Sequence, residues 1–212
     1  MKTELFADSR LFLLLLLFFC FLTFTSANAQ TGNMLLFGVN LAEGNFSVAM
    51  RYFLPVLAFA LGIALAEIVH KKDLNLLHWR QAAVLVEALI LLGVAFFPQN
   101  MNLLANSLTS FACGIQVESF RKIRGNGIAT TMCIGNMRSG TQNLCNYLQD
   151  RDIENLKKAL LYYGIIICFI CGAIIGNFFI KIFAEKAILC CSALLFFAFI
   201  LMFIDYEREK EQ

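Results

Sequence analysis

Apolar residues run along this chain in long blocks separated by short polar stretches. Five blocks, at residues 11–25, 52–69, 82–97, 159–180 and 187–204, are almost wholly apolar. A helix needs about 20 mostly apolar residues to cross a ~30 Å hydrocarbon core, so each block predicts a membrane-spanning helix. A sixth stretch, residues 101–119, has the length but carries Asn106, Ser107, Thr109, Ser110, Gln116 and Glu118. Such a helix spans only with its polar side turned to protein or water. Two further stretches differ. Residues 31–42 are too short to cross alone, and residues 130–148 are too polar to face lipid.

These two short stretches match each other. Gly32-Asn33-Met34 with Asn40-Leu41 recurs as Gly135-Asn136-Met137 with Asn143-Leu144, at an offset of 103. Phe59 and Gly62 recur as Phe169 and Gly172, at an offset of 110. The chain therefore reads as a duplicated unit, with one repeat at residues 1–98 and the second at 99–212. Each unit is helix, short polar segment, helix, helix.

Charge sets the expected topology, because cytoplasmic loops of membrane proteins are rich in Lys and Arg. If the short stretches do not cross, Arg51, Lys181 and Lys186 fall on one side and the other 14 of the 17 basic residues on the opposite side. If both cross, the basic residues divide evenly and Arg138 is stranded in the bilayer. Six spans are expected, with both termini cytoplasmic. Three spans per unit is an odd number, so the second unit enters from the opposite face. The expected fold is all-α: a polytopic helical membrane protein of about six spanning helices. They form two inverted three-helix repeats, each with a short broken or re-entrant Gly-Asn segment, a plan that recurs in secondary transporters. Irregular backbone at that depth has to be buried in protein or line water.

Composition agrees. Hydrophobic residues make up 59% and charged residues 15%, against about 45–50% and 25% in soluble domains. That excludes an ordinary soluble enzyme and a disordered chain. A net charge of +2 gives no case for nucleic acid. Six of the eight cysteines lie in apolar runs, where Cys behaves as a small hydrophobe. Cys168 and Cys171 form a CxxC without a second pair or a nearby His. No metal, cofactor or catalytic constellation is expected.

Ser26-Ala27-Asn28-Ala29-Gln30-Thr31-Gly32-Asn33-Met34, followed by Tyr52-Phe53-Leu54-Pro55 and Phe59-Ala60-Leu61-Gly62, resembles the YoaK family of uncharacterised bacterial multi-pass membrane proteins. Gly114-Ile115-Gln116-Val117-Glu118-Ser119-Phe120 and Thr130-Thr131-Met132-Cys133-Ile134-Gly135-Asn136 fit it in the second half. The resemblance implies a bacterial inner-membrane protein of unknown function, with no reaction and no cofactor. It also implies a Gly-x-x-Asp-Ala-like stretch before the first Thr-Gly-Asn. Here that stretch is missing, and Glu118 is the acidic residue left to take its place. Residues 1–29 have a second reading as a cleaved secretory signal, with Arg10 before the apolar run and Ala27-Asn28-Ala29 as the cleavage site.

The candidate site residues are polar groups at membrane depth. Glu87 lies about two turns into an apolar run, where a charged carboxylate costs roughly 2.5–3.5 kcal/mol on insertion scales. It is read as a proton or cation site, or as an interfacial carboxylate. Arg138, two residues after Asn136, is read as an anion ligand or as a side chain snorkelling to water. Asn28, Gln30, Thr31 and Asn33 mirror Thr131 and Asn136, either lining a polar pocket between the halves or capping broken helices. Glu67, Gln116 and Glu118 are secondary candidates, Glu67 also being spaced to pair with Lys71. Trp79 reads as an interface anchor, and His70 and His78 as solvated. The expected activity is that of a small secondary transporter or channel, not of an enzyme. A non-transporting scaffold or subunit is the alternative. The expected partners are the lipid bilayer, a small anion or a proton or cation as substrate, and a second copy of the chain in a homodimer.

Overall fold

A computed structural model describes residues 30–70, 79–123, 126–127 and 133–210. The expected span at residues 11–25, with Asn28, Thr131, Lys71 and His78, lies outside the described residues. Seven α-helices occupy most of what is described: α1 (Gln30–Ala42), α2 (Phe46–His70), α3 (Trp79–Val94), α4 (Asn102–Ser119), α5 (Cys133–Asp150), α6 (Ile153–Phe183) and α7 (Ala187–Lys210). A minimal antiparallel pairing joins Lys122–Ile123 to Asn126–Gly127. The apolar blocks have become α2, α3, α6 and α7, and the mixed stretch has become α4. The two Gly-Asn stretches are unbroken helices within their bounds, α1 and α5.

Two helical hairpins repeat along the chain. Residues 43–45 turn α1 back onto α2, with Gly44 at φ 76°. That is the left-handed region where glycine pays no Cβ penalty. The rings of Phe37 and Phe53 meet at 5.1 Å across this hairpin. Residues 151–152 turn α5 back onto α6, with Arg151 at φ 54°. Asp152 then caps α6 by accepting from the Glu154 N–H at 3.0 Å. Thr141 and Tyr163 share a hydroxyl hydrogen bond of 2.8 Å across the second hairpin.

Helices α2 and α4 run parallel and form the most extensive pairing. Their contact is backbone on backbone: Gly62 lies against the main chain of Phe111 and Ile115, and Gly114 against that of Phe59 and Ile63. Small residues that let helix axes approach are typical of membrane helix crossings.

Helices α3 and α7 run antiparallel. Gln81 Nε2 of α3 donates to the Met202 carbonyl of α7 at 3.0 Å, and Ser192 Oγ of α7 donates to the Ala88 carbonyl of α3 at 2.8 Å. Val84, Ala88 and Leu91, spaced at three and four, form the stripe of α3 that meets Cys191, Leu195 and Met202 of α7 in the main core. Ala83 meets Ile115 of α4 and Ala66 of α2. Helix α3 thus stands at the centre, buried on two sides.

The outer helices are apolar outward. Leu61, Leu65 and Ile68 of α2, and Ile167, Ile174 and Phe178 of α6, are exposed. Contiguous apolar faces of this kind are rare on soluble monomers. By length and composition, α2 (25 residues) and α6 (31 residues) can each cross a membrane. Helix α7 contains a shorter apolar stretch, Ala187–Met202. At a 1.5 Å rise per residue, α3 reaches only about 24 Å.

Candidate functional site

Most buried polar groups lie on α3 and on the two helices packed against it, α4 and α7. Glu87 is next along the α3 face that carries Ala83, four residues on, and is 1% exposed. Its Oε1 has no hydrogen-bond partner among the described residues. On α4, Gln116 is also 1% exposed, and neither Oε1 nor Nε2 of its amide has a partner there. Leaving a buried polar atom unsatisfied costs about 1–3 kcal/mol, and more for a charged group. Cys113, one turn before Gln116, and Cys191 of α7 are buried free thiols within electrostatic reach of the Glu87 carboxylate.

Helix α4 is polar on the side it buries: Thr109, Ser110, Gln116 and Ser119 are all covered. Thr109 and Ser119 return their hydroxyl protons to carbonyls one turn back, at 2.9 and 2.7 Å. This is a local satisfaction that leaves no demand on a ligand. Ser110 instead accepts from Gln30 Nε2 of α1 at 3.0 Å. Asn33 donates to Gln30 Oε1 at 3.4 Å. The first Gly-Asn helix is therefore tied to the polar helix of the second half.

The second Gly-Asn helix takes a different neighbour. Helix α5 packs on α6, with Gly140 pressed to 3.2 Å of where its Cβ would meet that of Tyr162. Asn136 is 2% exposed on its inner face, whereas Arg138 and, on α1, Thr31 are exposed. Gln30 is thus joined to α4, Asn33 is bonded to Gln30 on its own helix, and Asn136 and Arg138 lie on the α5–α6 hairpin.

Two of the secondary candidates, Glu67 and Glu118, form a cluster at the ends of α2 and α4. Arg121 reaches Glu118 at 2.8 Å and Glu67 at 3.9 Å, and His70 lies 3.9 Å from Glu67. His70 packs its ring on Trp79 at 4.4 Å, and Arg80 sits over both Trp79 and Phe120. His70 and Trp79, expected as a solvated side chain and an interface anchor, belong to this ionic and aromatic cap.

Reading the sequence for candidate sites passed over Gln81 and Ser192, which bind α3 to α7. The signal that singled out Glu87, a polar side chain inside or at the edge of an apolar run, applies to both.

These features define an all-helical protein with two apolar helices of membrane length and buried polar side chains on its inner helices. The chain belongs to a family of proteins of unknown function, DUF1275, whose model matches residues 11–201. That agrees with the resemblance to uncharacterised proteins read from the sequence. No curated protein and no solved structure matches the chain.

Proposed function

We propose that this is a multi-pass membrane protein of six spans that carries a small solute or ion, with its binding centre at Glu87 and Gln116. The observation that supports this is a pair of polar side chains at 1% exposure on two packed helices, with Glu87 Oε1 and both Gln116 amide atoms unpartnered among the described residues. Buried polar groups are nearly always satisfied, and intramembrane carboxylates mark substrate and ion pathways. A protein that needed only stability gains nothing from leaving both unpaired.

Helix directions support six spans arranged as inverted repeats. Six alternating spans make α2 and α4 parallel and α3 and α7 antiparallel, as they run here. If α5 alone crossed as a full span between α4 and α6, or if α1 and α5 both did, α3 and α7 would be parallel. The matching α1–α2 and α5–α6 hairpins fit a duplicated unit. The family match begins at residue 11, so residues 11–25 are counted as the first span. Both termini are then cytoplasmic, the bilayer is the principal partner, and no catalysis is assigned.

The hydrogen bonds from Gln81 and Ser192 favour a second reading, in which polar groups only fasten helices within a scaffold. Solute-gradient currents on proteoliposomes separate the two. Wild-type protein and the Glu87→Ala and Gln116→Ala variants are challenged in turn with pH, chloride and phosphate gradients. The carrier reading expects a response that both variants lose while keeping their fold. If no gradient gives a response in wild type, or folded variants respond as wild type does, the scaffold reading replaces it.

A further inference from the structure

The geometry points to a proton as the ion bound at Glu87, taken up and released by its buried carboxylate, which has no paired cation among the described residues. This rests on the carrier reading for its purpose but not for its chemistry. A metal cation needs several ligands, and hard cations need them to be oxygens. Glu87 has the wrong surroundings for either. Val84 and Leu91 flank it on its own helix, and the helices packed on α3 carry the buried thiols Cys113 on α4 and Cys191 on α7. Among the described residues no group of three or more His, Cys, Asp or Glu is placed to hold a metal ion. An anion is repelled by the ionised carboxylate and finds no counter-charge there.

Among the described residues, the charged side chains placed near this end of the bundle have other neighbours. Arg80, two turns before Glu87 on α3, sits over Trp79 and Phe120. From α2, Glu67 faces Arg121, which also takes Glu118 from α4. A proton needs one oxygen and no coordination shell. It adds to a carboxylate oxygen from water, breaks no bond in the protein, and turns a costly buried anion into a neutral acid.

Infrared spectroscopy of the purified full chain in liposomes reads this directly, since a protonated carboxyl has a carbonyl stretch separate from that of a carboxylate. At pH 7 the wild type is expected to show the protonated band. Glu87→Gln should lose it, Glu87→Asp should shift it, and Glu118→Gln should keep it. Should Glu87→Gln fail to fold, the shift in Glu87→Asp still decides. A wild type without the band, or one that Glu87→Asp leaves unmoved, overturns the assignment. Proton flux into the same liposomes, followed with an enclosed pH dye, tests the carrier reading separately. A Glu87-dependent band without proton flux, and without a response to the chloride and phosphate gradients, upholds the proton site and removes the carrier. Flux that survives in Glu87→Gln together with an unchanged band removes the proton site and leaves the carrier.

Discussion

Replacing Gly62 by alanine tests how α2 and α4 are joined. A Cβ at Gly62 falls on the carbonyl oxygen of Phe111, with the Phe111 carbonyl carbon at 3.0 Å and the Ile115 nitrogen at 3.1 Å. Ordinary non-bonded contacts settle at about 3.5–4.0 Å, and all three atoms are main chain, so no side chain can swing aside. The helices must separate, and a gap of 0.5–1 Å forfeits about a quarter to a half of the dispersion well of each neighbouring contact. Overpacking of this kind costs about 1–3 kcal/mol. Alanine's better helix propensity returns up to about 1 kcal/mol. The net expectation is a loss of about 1–2 kcal/mol, or roughly 2–8 °C in thermal midpoint for a chain of this length. Gly114→Ala should behave alike, because its Cβ meets the Phe59 carbonyl. Gly93→Ala, which has nothing within 4 Å, should be neutral or slightly stabilising. Once one substitution has parted the helices, the second should cost little more, so the double variant should fall well short of additivity. Circular dichroism melts of the detergent-purified full chain read all four. Gly62→Ala melting with Gly93→Ala would refute the close crossing.

Two further outcomes follow from helix direction and from the α3–α7 seam. Single cysteines introduced by Asn45→Cys, Asn100→Cys and Lys186→Cys, in a background without native cysteines, should react with a membrane-impermeant maleimide from outside the cell, and Asp152→Cys only after lysis. Asp152→Cys and Lys186→Cys reacting from the same side would end the six-span arrangement. Ser192→Ala and Gln81→Leu should each lower stability by roughly 0.6–2 kcal/mol, the range for hydrogen bonds between membrane helices. Identical melts for both variants and wild type would show that these bonds do not hold the seam.

The helices were legible because hydrophobic length is a one-dimensional property: the runs around Pro55, Gly172 and Leu195 announce themselves. Gly44 likewise suits the turn it makes. Arg151 at φ 54° does not, since an arginine carries no sequence sign of left-handed backbone. Glu87 stood out as a lone carboxylate in an apolar run, but its surroundings did not. Helix α3 is apolar on most of its circumference, so its periodicity cannot say which stripe meets α4 and which meets α7. Those partners are set by packing between segments about 30 and 100 residues away. The polar side of α4 was visible in Thr109, Ser110 and Gln116. Whether it would face water or protein was open, because both environments suit the same residues. Asn33 and Asn136 look equivalent in sequence, yet Asn33 is half-buried and bonded to Gln30 on α1, whereas Asn136 is buried on α5. An internal match reports common ancestry of segments, not a common set of neighbours.

The α3–α7 seam also orders events during synthesis. Ser192 reaches a carbonyl 104 residues earlier in the chain. At about 5–20 residues per second, the ribosome adds that length in roughly 5–20 s. For a protein inserted as it is made, α3 therefore waits beside the translocation machinery with Gln81 and one flank of Glu87 uncovered. Helix α4, joined to α3 by a short connection, arrives long before α7 and covers the flank of α3 at Ala83. Damage to α4 should accordingly surface as failed insertion or degradation of the nascent chain before any mature protein exists to assay.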